Sequence, residues 1–281
     1  MNEASRPWAN GSLKTTGEGS DATCSIVLGA SLGMGMAIAL ELSSFFKNTP
    51  LILIGRDQVR LQKAKDQCLS LGASTVVTVS MNLNTLDFSP ICQVLEEQNW
   101  KWRRLLLNTD GFSGESALGL SRTQMEEAHL NQLLSPILLT QTLLPWVASP
   151  ASLLALTSTT TLEPNPYLPL SGMYRTALWS WLKSISRELG PSAIRVNALA
   201  PGYVATPKLA ELQAQVALKE HGSTEGWAMD KVAQRWSEMA PLGRLASPQE
   251  IAKTARFLLS DDASFLTGQQ VVADGGQIKC L

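Results

Sequence analysis

Histidine is almost missing from this chain: among 281 residues there are two, His129 and His221. The four cysteines, Cys24, Cys68, Cys92 and Cys280, stand far apart and form no CxxC pair. No residue set has zinc-ligand spacing, so no metal site is expected; no disulfide framework exists either, and a reducing compartment fits. Long apolar runs are also missing; none approaches the about 20 residues that a membrane-spanning helix needs. Neither charge is in excess. With 23 basic and 24 acidic residues the formal net charge is −1, which gives no electrostatic pull toward nucleic acid or an anionic membrane. Residues 1–22 are polar and rich in Gly, Ser and Thr, with no apolar h-region, so they do not read as a secretory signal. A disordered tail is expected there, followed by one domain over 23–281, with the cytoplasm as the default location.

What is present is the composition of a soluble globular protein, 44% hydrophobic and 17% charged. Short apolar runs alternate with helical periodicity. Ser25–Leu28 leads into Gly29-Ala-Ser-Leu-Gly33-Met-Gly35 and a helix over 36–46. Leu51–Ile54 ends at Gly55-Arg56, and a polar helix follows over 57–71. Further strands are expected at 75–79, 105–107, 152–156 and 194–199, with helices at 121–147 and 171–189. Such alternation predicts an α/β fold, a Rossmann-type doubly wound parallel sheet with helices on both faces. The stretch 207–239 breaks the rhythm. It is helical in pattern, Gly-rich near 222–226, and follows a strand end, where long insertions cover sites; a lid is expected.

A glycine loop between a strand and a helix lets backbone N–H groups approach a pyrophosphate at the positive helix end. Gly29, Gly33 and Gly35, with Ser31 inside the loop, have that placement. The residue after the second strand decides between two dinucleotides. An acid there would bind the adenosine 2′-hydroxyl; this chain has Arg56, whose guanidinium suits a 2′-phosphate and points to NADP(H). The plainer reading of Arg56 is a solvated surface arginine.

Over about residues 24–276 the chain resembles the short-chain dehydrogenase/reductase family. Leu28-Gly-Ala-Ser-Leu-Gly-Met-Gly35 is similar to the family's TGxxxGxG. Met81-Asn82-Leu83 matches its Asp-Val pair near adenine, with Asn82 for Asp. Asn108-Thr-Asp-Gly111 matches NNAG with two departures. Ile194-Arg-Val-Asn-Ala-Leu-Ala-Pro-Gly-Tyr-Val-Ala-Thr206 matches IRVNxxxPGxxxT. Pro241–Glu250, Leu266–Gln269 and Asp274–Gly276 match the C-terminal signatures. The resemblance implies that Asn82, Asn108, Gly111, Pro201, Gly202 and Thr206 contact the cofactor, with Thr206 holding the nicotinamide carboxamide.

The same resemblance implies a catalytic tetrad of Asn, Ser, Tyr and Lys. Those places hold Gln132, Ser158, Ser171 and Arg175 here. Asn131 is adjacent to the first place, but the Thr140-Gln141 and Leu144-Pro145 pairs downstream favour Gln132. A phenol beside an ammonium can protonate a ketone oxygen near neutral pH; an aliphatic hydroxyl beside a guanidinium cannot do so comparably. Arg175 can still hold ribose hydroxyls and positive charge. Hydride transfer to a carbon that is already cationic needs no acid, so an iminium or similar activated bond is the preferred substrate class. A carboxylate beside such a cation would help; Asp110 and Glu163 are candidates, the second more simply a solvated loop charge. Tyr174 lies three residues past the tyrosine place and is read as a packing residue before a substitute acid. Trp227 and Trp236 could line a pocket for a large aromatic substrate or pack the lid. Trp179 and Trp181 lie on the helix through which the family often oligomerises, so a homodimer or homotetramer is expected.

Three functions compete at this point. The first is an NADPH-dependent reductase of an activated bond in a specialised biosynthetic pathway. The second is a non-redox cyclase, of Diels–Alder type, on the same scaffold. The third is a non-catalytic dinucleotide-binding protein, against which the glycine loop, Arg56 and Thr206 argue.

Overall fold

Seven parallel strands form one sheet, in the spatial order β3-β2-β1-β4-β5-β6-β7. They are β1 (Ala22–Leu28), β2 (Leu51–Gly55), β3 (Val76–Ser80), β4 (Trp100–Leu107), β5 (Val147–Leu156), β6 (Ile194–Pro201) and β7 (Gln270–Ala273). The computed structural model describes residues 22–111 and 116–280. The expected tail therefore lies outside the described residues, apart from Ala22, which opens β1.

Nine helices are described. They are α1 (Gly33–Phe45), α2 (Gln58–Leu71), α3 (Ser89–Glu97), α4 (Arg122–His129), α5 (Ser135–Leu143), α6 (Pro169–Leu189), α7 (Pro207–His221), α8 (Gly226–Met239) and α9 (Pro248–Leu259). Successive side chains of a strand point to opposite faces, and the apolar runs use both. Leu105 and Leu107 pack toward α3, α5 and α6. Leu106 between them packs toward α1, α2 and α9. A sheet buried on both faces explains why these strands read as continuous apolar runs and not as alternating ones.

Two features place the site. First, β1 has β2 on one side and β4 on the other, so the strand order reverses there. Open α/β sheets hold ligands outside the carboxyl ends of the strands at that switch point. Second, the helix expected over 121–147 is not continuous. It runs as α4, a five-residue π-helical segment Leu130–Leu134, α5, and a short 3₁₀ turn, and its last expected residue belongs to β5. Pro136 has no N–H to give to the Gln132 carbonyl four residues back, so a regular α-helix cannot pass through this point.

The stretch 207–239 folds as α7 and α8 around a cluster of their own, Leu212, Val216, Ala217, Ala228, Val232 and Trp236. Among the described residues no helix is long and apolar enough to cross a membrane, and no group of His, Cys, Asp or Glu could hold a metal ion.

Candidate cofactor cleft and active site

A cleft opens along the carboxyl ends of β2, β1, β4, β5 and β6, and most of the residues singled out from sequence line it. The glycine loop follows β1 directly. Gly29 has φ +71°, and a Cβ there would lie 2.3 Å from the Asn108 carbonyl oxygen. Gly35 lies behind the loop and not in the cleft wall; a Cβ on it would lie 2.0 Å from the Gly29 carbonyl oxygen. Both positions thus need glycine because backbone packs on backbone. The Asn108 side-chain amide donates to the Gly29 carbonyl at 3.3 Å, tying the end of β4 to the loop. The residue that caps α1, Leu32, offers no side-chain hydrogen bond to the first turn. Those N–H groups remain for an anion at the positive helix end. A bare helix start, a loop closed by backbone contacts and a nearby arginine fit the pyrophosphate and phosphate groups of a dinucleotide.

Asn82 does not line the cleft. Its carboxamide oxygen accepts from the Asn84 N–H at 3.0 Å and caps a short 3₁₀ turn, while its neighbours Met81 and Leu83 form the wall. Gln132 does not line it either. Its side chain is fully buried, and neither amide atom has a hydrogen-bond partner in the protein. Asn131 lines the cleft instead, donating to Asn84 at 3.4 Å, with its own carboxamide oxygen buried and unpaired. These two adjacent residues, both within the π-helical segment, thus have different surroundings.

Ser158, Ser171 and Arg175 meet on the β5 side of the cleft. The Ser158 hydroxyl oxygen accepts from the Thr160 N–H at 3.2 Å, which leaves its hydrogen free to donate. Ser171 is buried in the first turn of α6, and Arg175 follows on the same face one turn on. The Arg175 guanidinium is buried and donates to three backbone carbonyls: Leu156, Thr157 at 3.2 Å and Thr109 at 3.1 Å. Burial pushes its pKa down to about 10, against the opposing pull of Asp110, so it stays charged at neutral pH. Arg175 thus braces the ends of β4 and β5. A planar fork reaching several acceptors at once accounts for this.

Asp110 also has a partner different from the one expected. Arg56 donates to its carboxylate across the cleft, so the carboxylate is turned to the β2 side. Glu163 is exposed and does not line the cleft; it accepts at 3.4 Å from the backbone N–H of Lys279. The Tyr174 hydroxyl donates to the Met125 carbonyl at 3.0 Å and its ring meets the His129 edge. Tyr174 therefore packs α6 on α4.

Pro201, Gly202 and Thr206 line the opposite wall, with the Thr206 oxygen capping α7 through the Leu209 N–H at 3.2 Å. Leu209 and Leu212 of α7 complete that wall. The tryptophans of α8 do not. Trp236 is fully buried and stacks on Tyr203, centroids 4.4 Å apart and planes at 6°, while Trp227 is half-exposed beside His221. Arg60, Lys208 and Glu211 are cleft residues that sequence reasoning missed, and Asn131 is one it passed over in favour of Gln132. The i,i+3 charge pairs Asp57–Arg60 and Lys208–Glu211, adjacent to recognised motifs, were the available signal.

A doubly wound parallel sheet, a glycine loop at its switch point and a serine beyond β5 define a nucleotide-binding α/β enzyme. The chain belongs to the short-chain dehydrogenase/reductase family of oxidoreductases: a family model described as enoyl-(acyl carrier protein) reductase matches residues 29–277. The NADPH-dependent reductase BacG of Bacillus subtilis (strain 168) is 27% identical over 259 residues, covering 91% of this chain and 97% of that protein. YwfH, an NADPH-dependent reductase involved in bacilysin biosynthesis, superposes with a TM-score of 0.81 at 25% identity, over 93% of this chain and 100% of that one. The L-sorbose reductase of Gluconobacter frateurii, solved with NADPH and L-sorbose, shares the fold with a TM-score of 0.84 at 23% identity, over 94% and 99% of the two chains.

Proposed function

We propose that this protein is an NADPH-dependent reductase of an activated bond, an iminium or other C=N group, acting in a biosynthetic pathway without the tyrosine–lysine proton relay of its family. NADP(H) is its cofactor. That reading is supported by the NADPH dependence of BacG and YwfH and by Arg56 in the cleft wall past β2. Bound NADPH supplies a hydride. The glycine loop and the first turn of α1 hold the pyrophosphate, and Arg56 recognises the 2′-phosphate. Thr206 and Pro201 border the nicotinamide end.

The observation that carries the reading is the pair at positions 171 and 175. Ser171 offers an aliphatic hydroxyl, and the Arg175 guanidinium is braced on three carbonyls. Neither delivers a proton to a ketone oxygen near neutral pH, a deficit of about 10²–10⁴ in rate for a substrate that needs one. A cationic carbon needs none. Ser158 can donate one hydrogen bond to orient the substrate, and α7 and α8 act as a lid that excludes water. The apolar wall of Leu209, Leu212 and Leu168 suits a large, poorly polar substrate.

The test is the double substitution Ser171→Tyr with Arg175→Lys. It is expected to leave iminium reduction unimproved and to raise ketone reduction from near zero. A gain of tenfold or more on the iminium would show that the proton relay was needed after all and overturn the proposal. Clear NADPH binding by the parent with no NADPH consumption on any substrate would favour the cyclase reading instead.

A further inference from the structure

Arg56 and Asp110 come from strands that do not touch. Arg56 is the first residue past β2, Asp110 the third past β4, and β1 lies between those strands. Adjacent strands are about 4.8 Å apart, so the two strand ends stand roughly 10 Å apart. The side chains nevertheless meet, Nη2 of Arg56 on Oδ2 of Asp110. Both line the same cleft as Gly29, Ser31 and Gly33. The pair is therefore a bar across the carboxyl end of β1, over the place where an open α/β sheet receives its ligand.

The other cations at this end of the cleft differ. Arg60 Nε sits 3.2 Å from Asp57, and Lys208 Nζ 2.8 Å from Glu211. Each of those acids is three residues away on the same helix end and stays with its cation whatever fills the cleft. Asp110 is 54 residues from Arg56 and keeps it only while nothing lies between them.

We propose that Asp110 is a specificity-determining residue: it competes with the cofactor's 2′-phosphate for Arg56 and so limits how strongly the cleft prefers NADPH over NADH. This rests on the reading of Arg56 as the phosphate partner. When NADPH binds, the phosphate takes the guanidinium and the carboxylate must swing away or bear its repulsion. NADH brings no anion to that point and leaves the pair in place.

The experiment is calorimetric titration of NADPH and NADH into the parent, Asp110→Asn, Asp110→Ala, Arg56→Ala and the double variant Arg56→Ala with Asp110→Asn. Both Asp110 variants are expected to bind NADPH about threefold to tenfold more tightly, the range of an exposed ion pair with its repulsion relieved. Their affinity for NADH should move less than about twofold. In the Arg56→Ala background most of the NADPH gain from Asp110→Asn should vanish, as coupled residues require. Unchanged or weaker NADPH binding in both Asp110 variants, with the parent's preference erased by Arg56→Ala, overturns this inference alone. A parent that binds the two cofactors equally, or a preference that survives Arg56→Ala, overturns the reading of Arg56 first and this inference with it.

Discussion

Arg175 on α6 donates to the carbonyl of Thr109, the second residue past β4, at 3.1 Å, and its other terminal nitrogen holds the end of β5. The residue at the family's lysine place is thus a strut between two strands. Arg175→Met would leave three buried carbonyls unpaired. A destabilisation of about 2–4 kcal/mol is expected, read as a lower urea midpoint with an unchanged slope. A midpoint shift worth under about 0.5 kcal/mol would contradict the strut.

Gly35 gives the second prediction. A Cβ there would overlap the Gly29 carbonyl, so Gly35→Ala must push the loop into the cleft. NADPH affinity is expected to fall by about tenfold or more, a loss on the scale of 1.4 kcal/mol or above. Binding equal to the parent's by calorimetry would show that the loop tolerates the shift.

The third prediction concerns the contact between α7 and α8. The Tyr167 hydroxyl donates to Glu220 on α7, and Arg235 on α8 donates to the same carboxylate at 2.8 and 3.0 Å. These donors, Arg235 first, hold the Glu220 carboxyl below the usual glutamate range. A carboxylate with a lowered folded-state pKa stabilises the fold above its ordinary value and loses that contribution as pH falls through the folded value. Hydrogen exchange of 226–239 should therefore quicken between neutral pH and about pH 3 once intrinsic rates are corrected for. In Glu220→Gln the exchange should be faster at neutral pH and lack this pH dependence. Equal protection in parent and variant would sever the link between α7 and α8.

A fourth prediction uses the Tyr203–Trp236 stack. Trp236 on α8 is fully buried and stacks on Tyr203 in the segment after β6. Trp236→Ala should cost about 3–5 kcal/mol locally, exposing 207–239 to limited proteolysis before the sheet. Cleavage at the parent's rate would contradict this.

How much of this could be read from sequence follows from what each signal measures. Gly29 and Gly33 were legible because their backbone needs are local. The parallel sheet was legible because strands covered on both faces are apolar throughout. The strand Gln270–Ala273 was not, since four half-buried residues leave no pattern. Trp100 to Arg104 hid the start of β4 behind interleaved charges. The π-helical segment at 130–134 escaped because periodicity assumes a regular helix. The direction in which a long side chain turns is set by tertiary neighbours, so the three carbonyls around Arg175 and the Asp110–Arg56 pair, 54 residues apart, left no trace in spacing.

On the proposed function, this cleft reduces a carbon that is already activated. The direct measurement is the steady-state kcat/KM for NADPH consumption by the unmodified protein on a cyclic iminium and on the ketone of matching ring. A ratio of about 10² or more in favour of the iminium is predicted, the scale of one missing general acid. Comparable turnover of the ketone would contradict the account and require a proton donor other than Ser171 or Tyr174.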